Sequence, residues 1–442
     1  MSHDRTPSAG NAKPGHHAGL AAKTPGVELE SRKEARLVWG TTKLRFLLYS
    51  HDGLGFGHAR RNLAIATALT LADSEAAVLL ATSADEVQSL GIPPRVDVVK
   101  LPGLRKVANE DYTGRRLAVG GTGVIAVRNS LLLATVDSFK PNVILADKHP
   151  LGARGELLPA LESLREAGGR AAIGFRDILD DPAHVRIEWD QAGIPKAIED
   201  HYDRVLVYGH PAVVDPVKEY GMPASIAARM RFCGYVRTPP PVDRITRDVF
   251  PIRALTADAR PSVLATAGGG EDGFAILETF IAAAAGAEWR GIVVAGSQSA
   301  PDKRQLLRDA AEEAGVAYYT FVRGLDAWFD VVDALVCMGG YNTLAEAVSR
   351  GTPTVCVPRV VPRTEQLIRA EAFAARGLLR YIHPDRLSPE AIRREVDEVL
   401  GSSRDELVER ARTTLGFDGA RQAADELLDL ARREAPHPAS MR

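Results

Sequence analysis

The chain has few cysteines, and this scarcity argues against a disulfide framework. Only Cys233, Cys337 and Cys356 occur among its 442 residues, and each lies in an apolar run. Scattered cysteines of this kind are typically buried, reduced thiols of a cytoplasmic protein. The sequence therefore predicts a cytoplasmic location and no disulfide or thiol redox role.

Long apolar stretches and a strong net charge are also missing. No run approaches the roughly 18 consecutive apolar residues of a membrane-spanning helix, which leaves only peripheral membrane contact open. The formal net charge is −2, so there is no basic footprint for nucleic acid. With 45% apolar and 25% charged residues, the composition is that of an ordinary globular enzyme.

Common metal and nucleotide motifs are absent as well. The sequence has no Cys-x-x-Cys, no paired-histidine motif of metalloproteases and no Walker motif with its lysine. The glycines at 53–57 are similar to a dinucleotide fingerprint, but His58 stands where its third glycine belongs. We therefore expect no metal and no resident cofactor, and an NAD-dependent dehydrogenase ranks last among the functions considered.

What the sequence does contain is an alternation of apolar strand-like runs and helical patterns. The runs are continuously apolar, as in parallel strands buried on both faces. Predicted strands begin at residues 44, 76, 96, 141, 171 and 204, and again at 261, 292, 317, 334 and 354. This pattern predicts an α/β fold with doubly wound parallel sheets. A chain of 442 residues also exceeds the size that one hydrophobic core usually serves.

Three consecutive prolines at 239–241 interrupt the alternation and predict a linker. We assign a disordered arm at 1–43, a Rossmann-like domain at 44–237, the linker at 238–259, a second Rossmann-like domain at 260–415 and a closing segment at 416–442. An amphipathic helix in the closing segment is expected to pack back on the first domain. The region 101–127 is expected to form a mobile loop and a helix beside the cleft.

The most informative stretch is the turn Gly339-Gly340 between an apolar run and a helical pattern. A strand, a glycine turn and a helix N-terminus make an anion site, because unpaired N–H groups and the positive end of the helix dipole meet there. Asn342 or Thr343 is expected to cap this helix. One turn in, Glu346 is placed to accept hydrogen bonds from both ribose hydroxyls, unless it is simply a solvated helix charge. The pattern indicates a site for a nucleoside diphosphate.

These residues resemble the nucleotide-sugar glycosyltransferases of the GT-B fold, in which two Rossmann-like domains face each other across a cleft. Within that fold they are most similar to the group of the peptidoglycan N-acetylglucosaminyltransferase and to a set of predicted bacterial glycosyltransferases. The resemblance covers about residues 44–435 and is strongest over 337–366. It implies that a sugar passes from a nucleotide diphosphate sugar, with UDP favoured, to an acceptor hydroxyl or amine. It also implies a reaction without a metal and with inversion.

The resemblance further implies a donor site in the second half of the chain. Its residues are Gly268, Gly269, Gly270, Phe321, Val322, Arg323, Gly339, Gly340, Asn342, Thr343, Glu346, Glu365 and Gln366. Gly339 and Gly340, with Asn342 and Thr343, would lie at the diphosphate. The glycines at 268–270 would form a loop near the phosphates that also meets the acceptor, and the backbone at 321–323 would border the base. Glu346 would hold the ribose, and Glu365 with Gln366 would bind hydroxyls of the donor sugar. Arg359 and Arg363 would either neutralise the leaving diphosphate or lie at the surface.

In the first half, the resemblance implies that the glycine loop with Gly55 and Gly57 lines the cleft, and that His58 is a candidate base for the acceptor hydroxyl. A helix N-terminus disfavours an imidazolium and keeps a neutral ring that can accept a proton. Contact with phosphate or sugar and a structural role are the alternatives. Asp147 follows a strand and would orient His58, act as the base itself or be an ordinary polar strand end; His149 is similarly ambiguous.

Arg176 and Asp177 end another predicted strand, so we expect them at the cleft or in a buried ion pair that shapes the loop. The segment 176–182 has no counterpart that we can assign in the peptidoglycan enzyme, so the acceptor stays open between a lipid-linked sugar, a small molecule and a polysaccharide end. Two other functions fit the same residues: a sugar-nucleotide 2-epimerase and a non-catalytic nucleotide-sugar-binding subunit. The sequence does not indicate an oligomeric state.

Overall fold

Two parallel sheets organise the protein. The computed structural model describes residues 43–50, 57–85, 87–108, 111–238, 259–269 and 272–433. The predicted arm, Gly55, Gly270 and nearly all of the predicted linker lie outside these ranges. From Leu44 onward the chain forms one compact unit.

The first sheet is built from the first half of the chain. Its region contains the strands β1 (Leu44–Ser50), β2 (Ala76–Thr82), β3 (Val96–Lys100), β4 (Leu104–Ala108), β5 (Asp111–Gly114), β6 (Val143–Asp147), β7 (Arg170–Arg176), β8 (Arg204–Tyr208) and β9 (Met230–Phe232). The helices are α1 (Gly57–Ala72), α2 (Gly121–Phe139), α3 (Leu158–Glu166), α4 (Pro182–Gln191), α5 (Ile194–His201), α6 (Pro216–Tyr220) and α7 (Ala224–Ala227). Seven strands pair in parallel in the order β3-β2-β1-β6-β7-β8-β9.

The second sheet follows the same plan. Its strands are β10 (Ser262–Thr266), β11 (Arg290–Val294), β12 (Ala317–Tyr319), β13 (Ala334–Cys337), β14 (Thr354–Cys356) and β15 (Arg380–Tyr381). The helices are α8 (Phe274–Ala284), α9 (Pro301–Glu313), α10 (Tyr341–Ser349), α11 (Glu365–Ala374), α12 (Pro389–Leu400), α13 (Arg404–Thr414) and α14 (Gly419–Arg432). The parallel order is β12-β11-β10-β13-β14-β15. The predicted doubly wound α/β fold is confirmed.

Strand β1 explains why these apolar runs form central strands. Phe46 and Leu48 pack into one hydrophobic cluster, whereas the alternate residues Leu47 and Tyr49 pack into another. A strand that is covered on both faces needs apolar residues at every position. Because β1 lies between β2 and β6, the strand order reverses there, and such switch points are where doubly wound sheets bind ligands. In the second sheet β10 and β13 form the equivalent point.

Three features differ from the sequence predictions or add to them. Residues 101–127 do not form only a loop and a helix: β4 and β5 pair as an antiparallel hairpin before α2 begins. Helix α10 begins at Tyr341 with Gly340 as its N-cap and no side-chain cap, so the expected capping by Asn342 or Thr343 is wrong. The last helix, α14, lies against α1, with Leu427 and Ala424 in the same cluster as Leu63.

Candidate active site

The first switch point brings His58 and Asp147 together. Asp147 ends β6 beside the end of β1, and His58 lies in the first turn of α1, which follows the loop after β1. The imidazole Nδ1 lies 3.1 Å from Asp147 Oδ2, which can accept its proton, and 3.0 Å from Arg61 Nη2, which can only donate. If Nδ1 donates to this carboxylate, Nε2 is the nitrogen that keeps the lone pair and can accept a proton.

Arg61 completes this cluster, and its Nη2 donates to both carboxylate oxygens of Asp147, at 2.8 and 2.6 Å. Burial would raise the pKa of Asp147, but the positive charge of Arg61 and the contact with His58 outweigh it and hold that pKa below its ordinary value. Asp147 is therefore wholly buried and ionised, and it contacts His58. Sequence reasoning did not assign Arg61, although its i,i+3 spacing from His58 on a helix places both on one face.

The N-terminus of α10 lies opposite this cluster, across a cavity of about 160 Å³. The residues lining the cavity are Gly57, His58, Arg61, Arg176, Gly340, Tyr341, Asn342 and Thr343. Asn342 Nδ2 donates to the carbonyl of Gly57 at 3.4 Å, so the carboxyl edges of the two sheets meet here. The first N–H groups of the helix have no intrahelical acceptor, which makes this wall of the cavity suitable for an anion.

The turn before α10 requires glycine. Gly339 has φ +83°, and a Cβ there would lie 2.7 Å from Sγ of Cys356. A side chain would therefore face both a disfavoured backbone conformation and a steric clash. The carbonyl of Gly339 accepts a hydrogen bond from Arg369 Nη1 at 3.2 Å, which fixes the turn from behind.

Glu346 is buried and paired, so the alternative of a solvated helix charge is wrong. Only 2% of the surface of Glu346 is exposed. Arg350 Nη1 donates to Oε2, and the backbone N–H of Thr238 donates to Oε1 at 2.5 Å. Each carboxylate oxygen has a second lone pair, so ribose hydroxyls would join these donors or displace Thr238. The ribose contact stays a prediction.

Glu365 and Gln366 lie in the first turn of α11, and both are buried. Arg359 donates to Glu365 Oε1 from Nη2 at 3.3 Å and to Gln366 Oε1 from its backbone N–H at 3.0 Å. Oε2 of Glu365 is enclosed and has no hydrogen-bond partner within the residues described. A buried carboxylate oxygen without a donor is costly, and a sugar hydroxyl would supply one.

The pair predicted at the end of β7 is divided between two roles. Arg176 lines the cavity. Asp177 does not, and instead accepts hydrogen bonds from Arg369 Nη2 at 2.7 Å and Nε at 3.0 Å. The cleft position is therefore wrong for Asp177, and the buried ion pair is the correct alternative. It joins β7 of the first sheet to α11 beside the second, which no sequence pattern indicated.

Several predicted residues do not line this cavity. Gly268 and Gly269 form the turn after β10, His149 follows β6, and Phe321 and Arg323 are exposed beyond β12, with Val322 partly buried. Arg359 and Arg363 are bound to carboxylates, Arg359 to Asp272 and Glu365, Arg363 to Asp180 and Glu188. Among the described residues no cluster of three metal-binding side chains is present. No helix in those ranges is long and apolar enough to cross a bilayer.

Known proteins resemble both the second half and the whole fold. Residues 269–427 match the glycosyltransferase family 28 C-terminal domain. The UDP-N-acetylglucosamine–N-acetylmuramyl-(pentapeptide) pyrophosphoryl-undecaprenol N-acetylglucosamine transferase of Corynebacterium efficiens is 27% identical over 273 residues, which are 59% of this chain and 71% of that protein. Among solved structures, the glycosyltransferase SnogD of Streptomyces nogalater superposes with a TM-score of 0.59 at 18% identity, covering 88% of this chain and 100% of its own. A glycosyltransferase of Siraitia grosvenorii in complex with UDP gives 0.60 at 13% identity, covering 88% and 100%.

The chain is a nucleotide-sugar glycosyltransferase with the GT-B fold. The match to the family domain covers α10 and α11, which carry five of the predicted donor residues, Asn342, Thr343, Glu346, Glu365 and Gln366. The comparisons favour sugar transfer over the epimerase and the non-catalytic binding subunit.

One further residue of this glycosyltransferase has an unusual environment. Lys148 follows Asp147 at the switch point and has φ +73°, which is uncommon for a residue with a Cβ. Burial first, and then the positive charges of Arg176 and Arg363, lower its pKa to about 8, against the opposing effect of Glu188 and Glu365. Sequence reasoning did not single out this lysine, because nothing in its type or spacing reveals its surroundings.

We expect Lys148→Met to stabilise the glycosyltransferase at neutral pH. Below pH 8 Lys148 is protonated in both the folded and the unfolded wild type, and the folded chain bears the full cost of desolvating its charge. Between pH 8 and the ordinary value of 10.5 the unfolded chain binds more protons, so the stability of the wild type rises with pH. The advantage of the variant, on the order of 3 kcal/mol at pH 7, should shrink across this window.

Urea denaturation at pH 7 and pH 9.5 measures this difference. Lys218→Met is the matched control, because Lys218 is 81% exposed and its replacement should give no gain that depends on pH in this way. A Lys148→Met variant that is no more stable than the wild type at pH 7, or whose advantage grows with pH, would contradict the expectation.

Proposed function

We propose that this glycosyltransferase moves a sugar from a UDP-sugar to an acceptor hydroxyl, with inversion at the anomeric carbon and without a metal. One observation carries the proposal: His58, oriented by Asp147, and the N-terminus of α10 line the same cavity. A proton acceptor and an anion site that line one cavity serve the two ends of a displacement reaction, the attacking hydroxyl and the leaving group.

The choice of UDP is supported by the relatives. The Corynebacterium efficiens protein is named for UDP-N-acetylglucosamine, and the Siraitia grosvenorii structure holds UDP. Three buried cysteines with free thiols support a reaction in the cytoplasm. The acceptor stays open between a lipid-linked sugar, a small molecule and a polysaccharide end.

In the proposed mechanism, the leaving diphosphate lies at Gly340, Asn342 and Thr343, where backbone N–H groups and the helix dipole stabilise its growing negative charge. Nε2 of His58 takes the proton of the acceptor hydroxyl as that oxygen attacks the anomeric carbon. Asp147 then stabilises the imidazolium. The attack and the departure occur on opposite sides of the sugar, which gives inversion.

The sugar and the ribose would be held by carboxylates of the second half. The unpaired Oε2 of Glu365 supports a contact with a sugar hydroxyl. For Glu346, ribose hydroxyls would bind where Thr238 now donates.

Removing the charge of Glu346 tests the donor site. We expect Glu346→Gln to weaken UDP binding about 10- to 100-fold, because a hydrogen bond to a charged group contributes about 1.5–3 kcal/mol. The measurement is isothermal titration with UDP and with 2′,3′-dideoxy-UDP. The wild type should prefer UDP, and the variant should bind the two compounds with similar affinity.

The control is Glu312→Gln, at an exposed position of α9, which should keep the preference of the wild type. If Glu346→Gln keeps the full discrimination between UDP and the dideoxy compound, Glu346 does not hold the ribose. If the wild type binds neither UDP nor other nucleoside diphosphates, the proposed function itself is wrong.

A further inference from the structure

Arg176 is a cation that lines the cavity and forms no ion pair within the part of the chain that the structure describes. It ends β7 and faces the cavity that the first turn of α10 closes. Its Nε is enclosed and has no hydrogen-bond partner within the described ranges. Two neighbouring guanidiniums each pair with a carboxylate, Arg61 with Asp147 and Arg369 with Asp177, although Nε of Arg61 also has no hydrogen-bond partner within the described residues.

Two carboxylates, Asp177 and Glu365, act on Arg176 electrostatically, but neither forms an ion pair with it within the described residues. Both oxygens of Asp177 accept hydrogen bonds from Arg369. Glu365 uses Oε1 to bind Arg359. Burial and the positive charge of Arg369 lower the pKa of Arg176, but a guanidinium remains protonated in proteins. The enclosed part of this cation is costly to desolvate unless an anion joins it.

The opposite wall of the cavity is also positive. Gly340 caps α10 with no side-chain acceptor, so the first N–H groups of the helix point to the cavity without a protein partner from a cap. A guanidinium and a helix N-terminus across about 160 Å³ form a site for a multiply charged anion. An uncharged sugar ring would leave both walls unsatisfied.

We infer that Arg176 binds the diphosphate of the donor from the first half of the chain, opposite the N-terminus of α10. This inference rests on the proposed function. The diphosphate would then be held by both sheets at once, so the departing group is stabilised only when the two halves are in contact as they are here. A guanidinium suits this role because it can donate two parallel hydrogen bonds to phosphoryl oxygens.

The experiment compares the binding of UDP, uridine and inorganic pyrophosphate by isothermal titration. We expect Arg176→Gln to weaken UDP about 10- to 100-fold and pyrophosphate to a similar degree, with uridine unchanged. Arg176→Lys should retain part of the affinity, because it keeps the charge and loses the two-pronged geometry. Arg394→Gln, at a side chain that is 64% exposed, is the matched control and should behave as the wild type.

The outcomes separate this inference from the proposed function. A wild type that binds UDP no more tightly than uridine refutes the proposed function. A wild type that prefers UDP, together with an Arg176→Gln variant that keeps this preference, refutes only the role of Arg176. If Arg176→Gln loses pyrophosphate binding but keeps UDP binding, Arg176 binds an anion of the acceptor instead, and the inference is wrong. It is also wrong if Arg176→Gln weakens uridine binding as much as UDP binding. Thermal unfolding of both variants shows whether they are folded, and Arg176→Lys provides the test if Arg176→Gln is not.

Discussion

Replacing His58 with alanine is expected to lower the turnover number for sugar transfer about 1,000-fold while leaving UDP affinity close to that of the wild type. General base catalysis by a positioned side chain contributes typically about 10²–10⁴-fold, so loss of the imidazole should remove most of it. The nucleotide should bind as before, because the first turn of α10 and Glu346 remain in place.

This expectation follows from the way in which His58 is held. Its Nδ1 lies 3.1 Å from a carboxylate that is wholly buried and ionised, and the ring itself is 20% exposed at the edge of the cavity. A ring held through one nitrogen presents the other in a defined direction.

The alternative roles of His58 predict different results. A histidine that only contacts phosphate or sugar would change donor affinity at least as much as turnover, and a structural histidine would lower thermal stability. His184→Ala is the matched control, because His184 is exposed on α4. Turnover by His58→Ala within threefold of the wild type, roughly the scatter of such comparisons, would exclude the proton-transfer role.

The sheets could be predicted because their strands are buried on both faces. A run such as Val143–Asp147 is apolar until its last residue, and burial on two sides leaves little freedom in composition. The hairpin of β4 and β5 was missed for the opposite reason. Its strands are short and include Arg105, Lys106 and Asp111, so neither alternation nor continuous apolarity marks them.

The site was predictable where function follows from position along the chain. His58, Asp147 and Gly340 each come directly after a strand or at a helix start, and the carboxyl ends of parallel strands share one edge. What could not be predicted is which side chains meet across the two halves. Thr238 donates to Glu346 across 108 residues, and Arg369 meets Asp177 across 192. Such contacts depend on how the sheets dock, and local patterns carry no information about docking.

The ion pair of Arg369 and Asp177 is expected to give the largest stability effect. Both side chains are 1% exposed. Burial alone would lower the pKa of Arg369, but the negative charge of Asp177 raises it above its ordinary value. Arg369→Met should lower the free energy of unfolding by about 3–5 kcal/mol, because it leaves a buried carboxylate that has, among the described residues, only the Tyr235 hydroxyl as donor. Urea denaturation measures the change.

A second variant separates the buried charge from the lost contact. Arg369→Met with Asp177→Leu removes both charges, and replacement of a whole buried ion pair by apolar residues is often close to neutral. The double variant should therefore be more stable than Arg369→Met alone. Arg412→Met is the surface control, since Arg412 is 72% exposed and loss of its pair with Glu409 should change the stability little. If the two buried substitutions instead add their separate costs, Arg369 and Asp177 stabilise the junction of the halves through independent contacts, with Gly339 on one side and Tyr235 on the other.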